Sequence, residues 1–276
     1  MHVLSFTAII WVGSLAAGLV GSLTGLGGGV IIVPLLALGL GVDIRYAIGA
    51  SLVSVIATSS GSAVAYVREG FSNIRVGMLL EIATTLGATL GASIVTRVPT
   101  HVIAVIFGVV LLGSLYPARP TEPAAEDSAD PIATRLRLDS SYPSVTGVRS
   151  YHVRAVPLGF GLMGVAGVLS GLLGIGSGAL KVLAMDRAMR MPFKVSTTTS
   201  NFMIGVTAAA SAGIYLRRGL VDPGLAMPTM LGVLLGSVVG ARVLARTRAV
   251  WLRRLFSLVI VTLAIQMIYN GVWGRL

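Results

Sequence analysis

Long apolar runs separated by short polar loops dominate the pattern of this chain. Apolar segments occupy roughly residues 3–24, 29–41, 47–67, 76–96 and 100–116, and a second series occupies roughly 154–175, 178–191, 195–216, 223–245 and 250–272. The hydrophobicity within each segment is continuous rather than alternating, which predicts helices and disfavours the strands of a membrane barrel. Most segments are close to the ~20 residues that a helix needs to cross a bilayer.

A polar stretch from Pro117 to about His152 separates the two series. It contains five prolines and five acidic residues. This composition predicts a solvated, partly disordered connector. We therefore divide the chain into a first transmembrane repeat (1–116), a polar connector (117–153) and a second transmembrane repeat (154–276).

The two apolar series superpose without a gap at an offset of 149 residues. Matched leucines and valines would mean little, because every segment is rich in them. The match also aligns glycines, hydroxyl residues and arginines, which a shared apolar composition does not explain. The aligned pairs include Gly18 with Gly167, Gly25 with Gly174, Gly29 with Gly178, Ser51 with Ser200, Tyr66 with Tyr215, Arg68 with Arg217 and Gly87 with Gly236. The sequence therefore contains an internal duplication.

The composition indicates the solvent of these helices. Of the 276 residues, 55% are hydrophobic and 11% are charged, and the mean hydropathy is +0.89. A soluble domain carries about 25% charged residues, so an integral membrane protein is predicted. The net charge of +11 comes from basic residues dispersed over loops, which is typical of a topology signal rather than a nucleic-acid surface. The chain has no cysteine, which excludes disulfides and thiolate metal sites.

The loop arginines and lysines distinguish two topologies. If the first segment of each half crosses once, the repeats are parallel and these charges divide ten against ten. If the chain instead turns back near Gly25–Gly29 and at the matching place in the second half, the repeats are inverted and the division is fifteen against five. The positive-inside rule favours the second topology.

We therefore expect an all-α integral membrane protein of two inverted-topology repeats. Each repeat has a glycine-broken re-entrant first segment (29–41 or 178–191) plus three further transmembrane helices. The N-terminus lacks the basic start of a signal peptide, so Met1–Leu23 is expected to be a retained span. The connector is then cytoplasmic, both termini lie outside, and the location is the plasma membrane.

Glycine clusters interrupt the first apolar run of each half, as Gly25-Leu-Gly-Gly-Gly29 and Gly174-Ile-Gly-Ser-Gly178. Glycine weakens a helix and adopts backbone angles that other residues avoid, so each cluster predicts an unwound point. The half-helix that follows begins with free N–H groups and the positive end of its dipole, which attract anions. Close helix packing is the alternative role of these glycines. The predicted binding residues of the clusters are Gly27, Gly28, Gly29, Gly176, Ser177 and Gly178.

Lys181 is the basic residue that lies inside an apolar segment, three positions past Gly178. A lysine is costly in lipid unless it faces a cavity or a partner, so we interpret it as the balancing charge of a bound anion. A lysine that extends to the interface is the alternative. Two stripes of hydroxyl and amide side chains follow at helical spacing, and Ser51, Ser200 and Asn201 are their candidate ligands. Hydrogen bonding to nearby backbone is the alternative for these residues.

Glu81 lies inside segment 76–96. Its carboxylate either couples transport to an ion gradient or lies at the headgroup level paired with an arginine. His101 and Asp186 are close to loops, and we expect them at the interface. The chain has no nucleophile–base pair with an orienting group and no cluster with metal-ligand spacing. We therefore expect no catalytic residues, no enzyme activity, no cofactor and no metal site.

A set of ordered motifs identifies a family. The first half contains Gly25-Leu-Gly-Gly-Gly-Val-Ile-Ile-Val-Pro34, Ala47-Ile-Gly-Ala-Ser51, Tyr66-Val-Arg-Glu-Gly70 and Leu86-Gly-Ala-Thr-Leu-Gly-Ala92. The second half repeats the pattern with Gly174-Ile-Gly-Ser-Gly178, Ser196-Thr-Thr-Thr-Ser200 and Gly232-Val-Leu-Leu-Gly-Ser-Val-Val-Gly-Ala241. In this order the motifs resemble the sulfite exporter TauE/SafE family, also called the sulfonate uptake permeases. The second half departs from the pattern at Ser177, which replaces the middle glycine, and at Leu183, which replaces the proline.

The resemblance covers nearly the whole chain apart from the connector. It implies a transporter that moves a small sulfur-containing oxyanion, such as sulfite, sulfoacetate or a related organosulfonate. Alternating access and coupling to an ion gradient are part of this expectation. Two alternatives remain open: a carrier of the same fold for a cation or a neutral solute, with Glu81 as its ligand, and a non-transporting membrane assembly factor. The expected partners are a small anionic solute and the lipid bilayer, with a homodimer left open and no nucleic acid.

Overall fold

The structure, a computed structural model, describes residues 3–24, 28–68, 72–114, 130–144, 147–244 and 249–274. The first half forms α1 (Val3–Thr24), α2 (Gly29–Pro34), α3 (Ile44–Arg68), α4 (Ile74–Ile94) and α5 (Thr100–Ser114). The connector forms α6 (Pro131–Arg135) and a hairpin of β1 (Ser140–Ser144) and β2 (Gly147–Tyr151). The second half forms α7 (Val156–Leu173), α8 (Gly178–Leu183), α9 (Phe193–Arg217), α10 (Pro223–Leu244) and α11 (Ala249–Val272). The expected helical membrane class is confirmed.

The helices of the two halves correspond at the offset that aligns their sequences. Shifted by 149 residues, α2 coincides with α8 and α3 coincides with α9 at both ends. Both α2 and α8 continue into one π-helical turn, Leu35–Gly39 and Ala184–Ala188. Pro34 precedes the first π turn, but Leu183 precedes the second. The π turn therefore does not depend on the proline, and it belongs to the backbone that the two halves share.

In both halves the chain folds back on itself after the glycine cluster. The backbone N–H of Arg154, just before α7, donates to the carbonyl of Met189, just after the π turn that follows α8, at 3.1 Å. In the first half, a Cβ built on Gly13 of α1 would lie 2.8 Å from Leu35, at the end of α2. A helix continued straight through the break would place these residues ~30 Å apart or more. Each first segment therefore folds back on itself instead of continuing as one straight helix.

Glycine contacts define the directions of the packed helices. Gly87 and Gly91 of α4 meet the backbone near Gly164–Val168 and Val168–Leu172 of α7, so α4 and α7 run parallel. In the same way, Gly232 and Gly236 of α10 meet the backbone near Trp11–Leu15 and Leu15–Leu19 of α1, so these two helices are also parallel.

The helices that correspond between the halves run antiparallel where they meet. Gly108 of α5 contacts Ile268 of α11, whereas Gly271 of α11 contacts His101 at the start of α5. In the same sense, α3 and α9 pack with Gly49 beside Leu220 and Gly205 beside Ser59.

The outer surface is apolar and the interior carries polar groups. Along α4, Met78, Ile82, Leu86 and Leu90 repeat every four residues and are 56–64% exposed, whereas Glu81 on another face is buried. A helix at the surface of a soluble protein has the reverse arrangement, so this stripe fits a lipid environment. Among the described residues, α4 and α7 are the helices that are long and apolar enough to cross a membrane on length and composition alone.

The connector is folded over the part that the structure describes, residues 130–144 and 147–153. Asp130 accepts hydrogen bonds from the backbone N–H groups of Ile132 and Val156, at 2.9 and 3.0 Å. Asp139 accepts from the N–H of Val153 at 2.8 Å. These acidic side chains bind backbone donors instead of solvating a loose chain.

Asn73 attaches this connector to the start of α4. Its side chain accepts from the N–H of Val76 and donates, at 2.8 Å each, to the carbonyl of Leu138 and the hydroxyl of Tyr151. Burial raises the pKa of Tyr151 to about 12, so the phenol remains neutral in this contact. The hairpin is thereby held against the end of the helix bundle.

Candidate functional site

The second glycine cluster is an unwound segment. The helix α7 ends at Leu173, and Gly174 and Gly176 follow with φ of +68° and +70° before α8 starts at Gly178. Ser177 also has a left-handed backbone, with φ of +48° and ψ of +27°. A side chain in this conformation costs about 1 kcal/mol or more, which a glycine would avoid. Ser177 is therefore a strained residue at the point where the helix restarts.

The first cluster begins its half-helix differently. Gly28 has an ordinary right-handed backbone, with φ of −66° and ψ of −20°. A Cβ at Gly28 would lie 2.7 Å from a methyl of Val233, and a Cβ at Gly29 would lie 2.7 Å from the Ser51 hydroxyl. These two glycines are required by close packing. Gly25 and Gly27 lie outside the described residues.

The two breaks meet at a small cavity. Val30 at the start of α2 and Ile175, Ser177 and Gly178 of the second break line it together with Ala179, Leu180 and the end of α5, at Val110, Leu111 and Ser114. It has room for about one water molecule. The Ser177 hydroxyl is buried and has no hydrogen-bond partner among the described residues. A strained serine thus contributes an unsatisfied polar group to this cavity, where both half-helices begin.

Ser51 and Ser200 lie against the breaks, as predicted ligands would, but both hydroxyls donate to backbone. The Ser51 hydroxyl donates to the carbonyl of Gly174 at 2.8 Å, which joins the first half to the second break. The Ser200 hydroxyl donates to the carbonyl of Gly178 at 3.1 Å. A hydroxyl has one proton, so in this arrangement the two serines support the breaks. Asn201 follows Ser200 on α9 and is 9% exposed.

Lys181 and Glu81 meet in a buried cluster. The Lys181 ammonium donates to Thr207 Oγ1 at 2.5 Å and lies 3.8 Å from Glu81 Oε2. Thr207 in turn donates to Glu81 Oε1 at 2.6 Å, and Thr85 donates to the same oxygen at 3.1 Å. Lys181 is fully buried and Glu81 is 9% exposed. The cluster joins α4 of the first half to α8 and α9 of the second.

Arg75, the arginine nearest to Glu81 in the sequence of α4, contacts the connector instead of Glu81. Arg75 donates to the carbonyl of Arg137 in the connector at 3.0 Å. Sequence reasoning missed the pairing of Glu81 with Lys181 because the two residues belong to different halves and 100 positions separate them. Thr207 lies on α9 with Ser200 and Asn201, but its role depends on both charged neighbours.

The family follows from a profile match. The profile described as "Sulfite exporter TauE/SafE" matches residues 10–267. The chain belongs to the TauE/SafE family. It is 30% identical over 284 residues to the probable membrane transporter protein YunE of Bacillus subtilis (strain 168), covering 98% of this chain and 100% of that protein. It is also 30% identical over 277 residues to a probable membrane transporter protein of Xylella fastidiosa (strain 9a5c), covering 97% of each. No solved structure gives a significant match.

These matches indicate that the TauE/SafE chain is a membrane transporter. The relatives named above are both described as transporter proteins, and each aligns along nearly the full length of this chain. Within the described residues, no group of three His, Cys, Asp or Glu side chains could hold a metal ion.

Asp186 in this TauE/SafE chain lies close to a loop, as expected, but it is shielded from solvent. It is fully buried on the π turn after α8, and neither carboxylate oxygen has a hydrogen-bond partner among the described residues. The folded connector covers this end of the bundle. Met185, Met189 and the connector residues Leu138 and Tyr151 belong to the same apolar cluster there.

Proposed function

We propose that this protein is a secondary transporter that carries a small sulfur-containing oxyanion by alternating access, with the anion bound where the two glycine breaks meet. The observation that carries the proposal is the Ser177 hydroxyl, which is buried, has no hydrogen-bond partner among the described residues and is held on a strained backbone beside the cavity. Strained residues with unsatisfied polar groups are frequent at ligand sites, where the ligand supplies the missing bond.

The starts of α2 and α8 supply the remaining donors in this proposal. The first N–H groups of a helix have no partner within it, and Val30 and Gly178–Leu180 bring two such starts to one cavity. Backbone donors and a neutral hydroxyl suit an oxyanion, because they bind it without adding charge to a membrane interior. Ser51 and Ser200 hold the two breaks in position by their hydrogen bonds to Gly174 and Gly178.

The cavity is smaller than an oxyanion, so binding requires the breaks to move apart. Inverted repeats provide such a movement, since one repeat can rock against the other around a fixed site. The antiparallel packing of α5 on α11 and of α3 on α9 supports inverted repeats, because parallel repeats would make corresponding helices run in the same direction. The hairpin return after each break supports an odd number of crossings in each half.

A cation carrier with Glu81 as the ligand is the weaker alternative. The Lys181 ammonium already lies against the Glu81 carboxylate, and a cation would have to displace it. The other alternative, a non-transporting assembly factor that would use the connector to dock a partner, is also weaker, because the connector packs against α4 through Asn73. Neither alternative uses the unpartnered Ser177 hydroxyl.

A thermal-shift screen of the purified protein tests the anion site. Sulfite, sulfoacetate and methanesulfonate are compared with chloride at constant ionic strength, because a ligand that binds the folded state raises the melting temperature. We expect at least one sulfur oxyanion to stabilise the wild type and to lose this effect in Ser177→Ala, which removes the hydroxyl but keeps a Cβ on the same backbone. Ser54→Ala is the matched control, since Ser54 is buried and donates to Ala50 away from the cavity. Equal shifts in all three proteins would contradict the site.

Cysteine labelling tests the topology. The chain has no cysteine of its own, so Asp43→Cys and Arg190→Cys each introduce a unique thiol. Both positions are exposed, and they lie in corresponding loops, one after each π turn. Inverted repeats predict that an impermeant maleimide applied to intact cells labels Asp43→Cys and spares Arg190→Cys. Labelling of both or of neither would show that the two loops share one face.

A further inference from the structure

The cluster of Glu81, Thr207 and Lys181 lies beside the second break without lining the cavity. We propose that this cluster couples anion binding to proton binding: a proton taken up by Glu81 releases Lys181 to balance the charge of the bound oxyanion. The inference rests on the proposed function and deepens it, because it names the co-transported ion and the residue that carries it.

The two charged groups are incompletely bound to each other. An ammonium has three N–H donors, and the bond shown for Lys181 goes to Thr207 and not to the carboxylate. Glu81 Oε2 is 3.8 Å from the ammonium and has no hydrogen-bond partner among the described residues. A buried ion pair is firm when both groups have their full set of hydrogen bonds, and this pair lacks them. Lys181 can therefore separate from Glu81 without breaking a direct hydrogen bond between them.

The two oxygens of Glu81 have different surroundings. Oε1 accepts from Thr85 and Thr207, so its place is fixed. Oε2 is the oxygen that remains open, and it is where a proton would bind. Protonation forms one O–H bond, breaks none within the protein, and removes the negative charge that faces Lys181. The threonine bonds to Oε1 stay in place, so the carboxyl group keeps its position.

Charge balance then links the proton to the anion. In the empty carrier the carboxylate and the ammonium sum to zero. With one proton and one monovalent anion bound, the neutral carboxyl group, the ammonium and the anion again sum to zero. An anion or a proton alone would leave a net charge inside the membrane, which is costly. The empty and the fully loaded carriers are therefore the forms that can rearrange, and this makes the transporter a proton–anion symporter.

Lys181 lies on α8, the half-helix that begins at the cavity, so its ammonium is near the proposed anion site. Its backbone N–H donates to the carbonyl of Ser177 at 3.0 Å, so it lies one turn beyond the residue that lines the cavity. The helix α7, which packs on both α4 and α8, has no ionisable side chain. The other charged residues of the helices packed here are Arg75 at the start of α4, Lys194 and Arg217 near the ends of α9, and Asp186 and Arg187 on the turn after α8.

Binding of methanesulfonate at several pH values tests the coupling. This anion stays ionised between about pH 5.5 and pH 8.5, so the protein supplies the pH dependence. If binding takes up a proton, wild-type affinity falls as the pH rises, by up to about tenfold per pH unit. Glu81→Gln has the charge of the protonated state, so its affinity should fall less steeply with pH than that of the wild type and should exceed it near pH 7. Lys181→Gln should bind weakly throughout.

A structural role for Glu81 would have a different signature. Loss of packing or of folding in Glu81→Gln lowers the affinity at every pH, whereas the coupling predicts a gain near pH 7. Identical pH profiles in the wild type and Glu81→Gln would overturn the coupling and leave the proposed function intact. No binding by the wild type at any pH would contradict the proposed function itself.

A second readout uses the wild type alone and decides the question even if Glu81→Gln does not fold. Methanesulfonate is added to the detergent-solubilised protein in weakly buffered solution with a pH indicator. Uptake of about one proton per anion bound should make a solution near pH 8 more alkaline. Binding without any change in pH would overturn the coupling.

Discussion

The two halves of the molecule share a backbone plan but differ in the polarity of the residues around the breaks. Ile32 occupies the position in α2 that corresponds to Lys181 in α8, and Met230 corresponds to Glu81. The helices and the π turns coincide at the offset of 149 residues. The difference therefore lies in side chains. Duplication produced two equivalent scaffolds, and the charged pair brings together α4 of one and α8 of the other.

The break itself is where the backbones also differ. Gly28 is right-handed and is needed because its neighbour Val233 leaves no room for a Cβ. Ser177, at the corresponding position, is left-handed and carries a side chain at an energetic cost. Strained backbone conformations are frequent at functional sites, and a glycine at position 177 would remove this strain. The comparison thus gives Gly28 a packing role, and the strain at Ser177 is consistent with the binding role proposed for the second break.

Removing one member of the charged pair should have the largest effect on stability. Lys181→Ile introduces the residue of the first half and leaves the Glu81 carboxylate buried without its cation. We expect a loss of about 3–5 kcal/mol in the free energy of unfolding. The double variant Lys181→Ile with Glu81→Met introduces the apolar residue types found at the corresponding positions, Ile32 and Met230, and it should regain most of that loss.

Denaturant unfolding in detergent micelles measures both variants. A double variant no more stable than Lys181→Ile would show that the two charges do not depend on each other. Methanesulfonate should bind to neither protein, because both lack the balancing ammonium.

The packing seams should respond equally in the two halves. Gly87 meets Gly164 and Val168 of α7, and Gly236 meets the corresponding Leu15 and Leu19 of α1. A methyl group at either position contacts the backbone of the neighbouring helix, so Gly87→Ala and Gly236→Ala should each cost about 1–3 kcal/mol.

Gly161→Ala is the control for these seams, since nothing lies within 4 Å of its Cβ position. It should be neutral or slightly stabilising, because alanine favours the helix. Unfolding midpoints of the three variants provide the comparison. A cost at one seam and none at the other would break the correspondence of the halves.

The residues that cap the helices after α3 and α9 should contribute unequally to stability, with the larger contribution in the first half. Asn73 is buried and attaches the connector, whereas the corresponding Asp222 caps α10 in an exposed loop by accepting from Gly224. Asn73→Ala should cost about 2 kcal/mol, since it removes a cap and leaves buried partners unpaired. Asp222→Ala should cost about 0.5–1 kcal/mol. Similar losses in thermal unfolding would mean that the hairpin contributes nothing to the stability of the bundle.

Replacing the strained serine should have the smallest effect on stability, and the effect should be favourable. Ser177→Gly relieves the left-handed strain and should stabilise the fold by about 1 kcal/mol. The same change removes the hydroxyl from the cavity, so affinity for methanesulfonate should fall. Unfolding and calorimetry on one preparation measure both quantities. A destabilised Ser177→Gly protein would contradict the assignment of strain.

The local hydrophobic pattern and the internal repeat predicted the helices, the break at the second glycine cluster and the family. These features depend on residues near each other in sequence, such as Gly174 and Gly178, or on register within the duplication. The pair of Glu81 and Lys181 could not be predicted, because its members do not correspond in the alignment of the halves. They meet only because α4 packs beside α7 and α9 in the folded bundle.

The folded connector was missed for a related reason. A count of acidic residues does not show whether a carboxylate faces water or backbone donors. Asp130 binds the N–H of Val156, 26 positions later, and Asn73 binds Leu138 across 65 positions. Such contacts are visible only once the distant donor or acceptor is in place.

Counterflow of labelled methanesulfonate measures anion transport and its dependence on Ser177 in one experiment. Proteoliposomes containing the purified protein are loaded with unlabelled methanesulfonate and diluted into the labelled anion, and internal label is followed over time. We expect that the wild type transiently concentrates the label, that Ser54→Ala does the same, and that Ser177→Ala has lost most of this exchange. Absence of counterflow in the wild type, or full counterflow in Ser177→Ala, would contradict an anion carried at the second break.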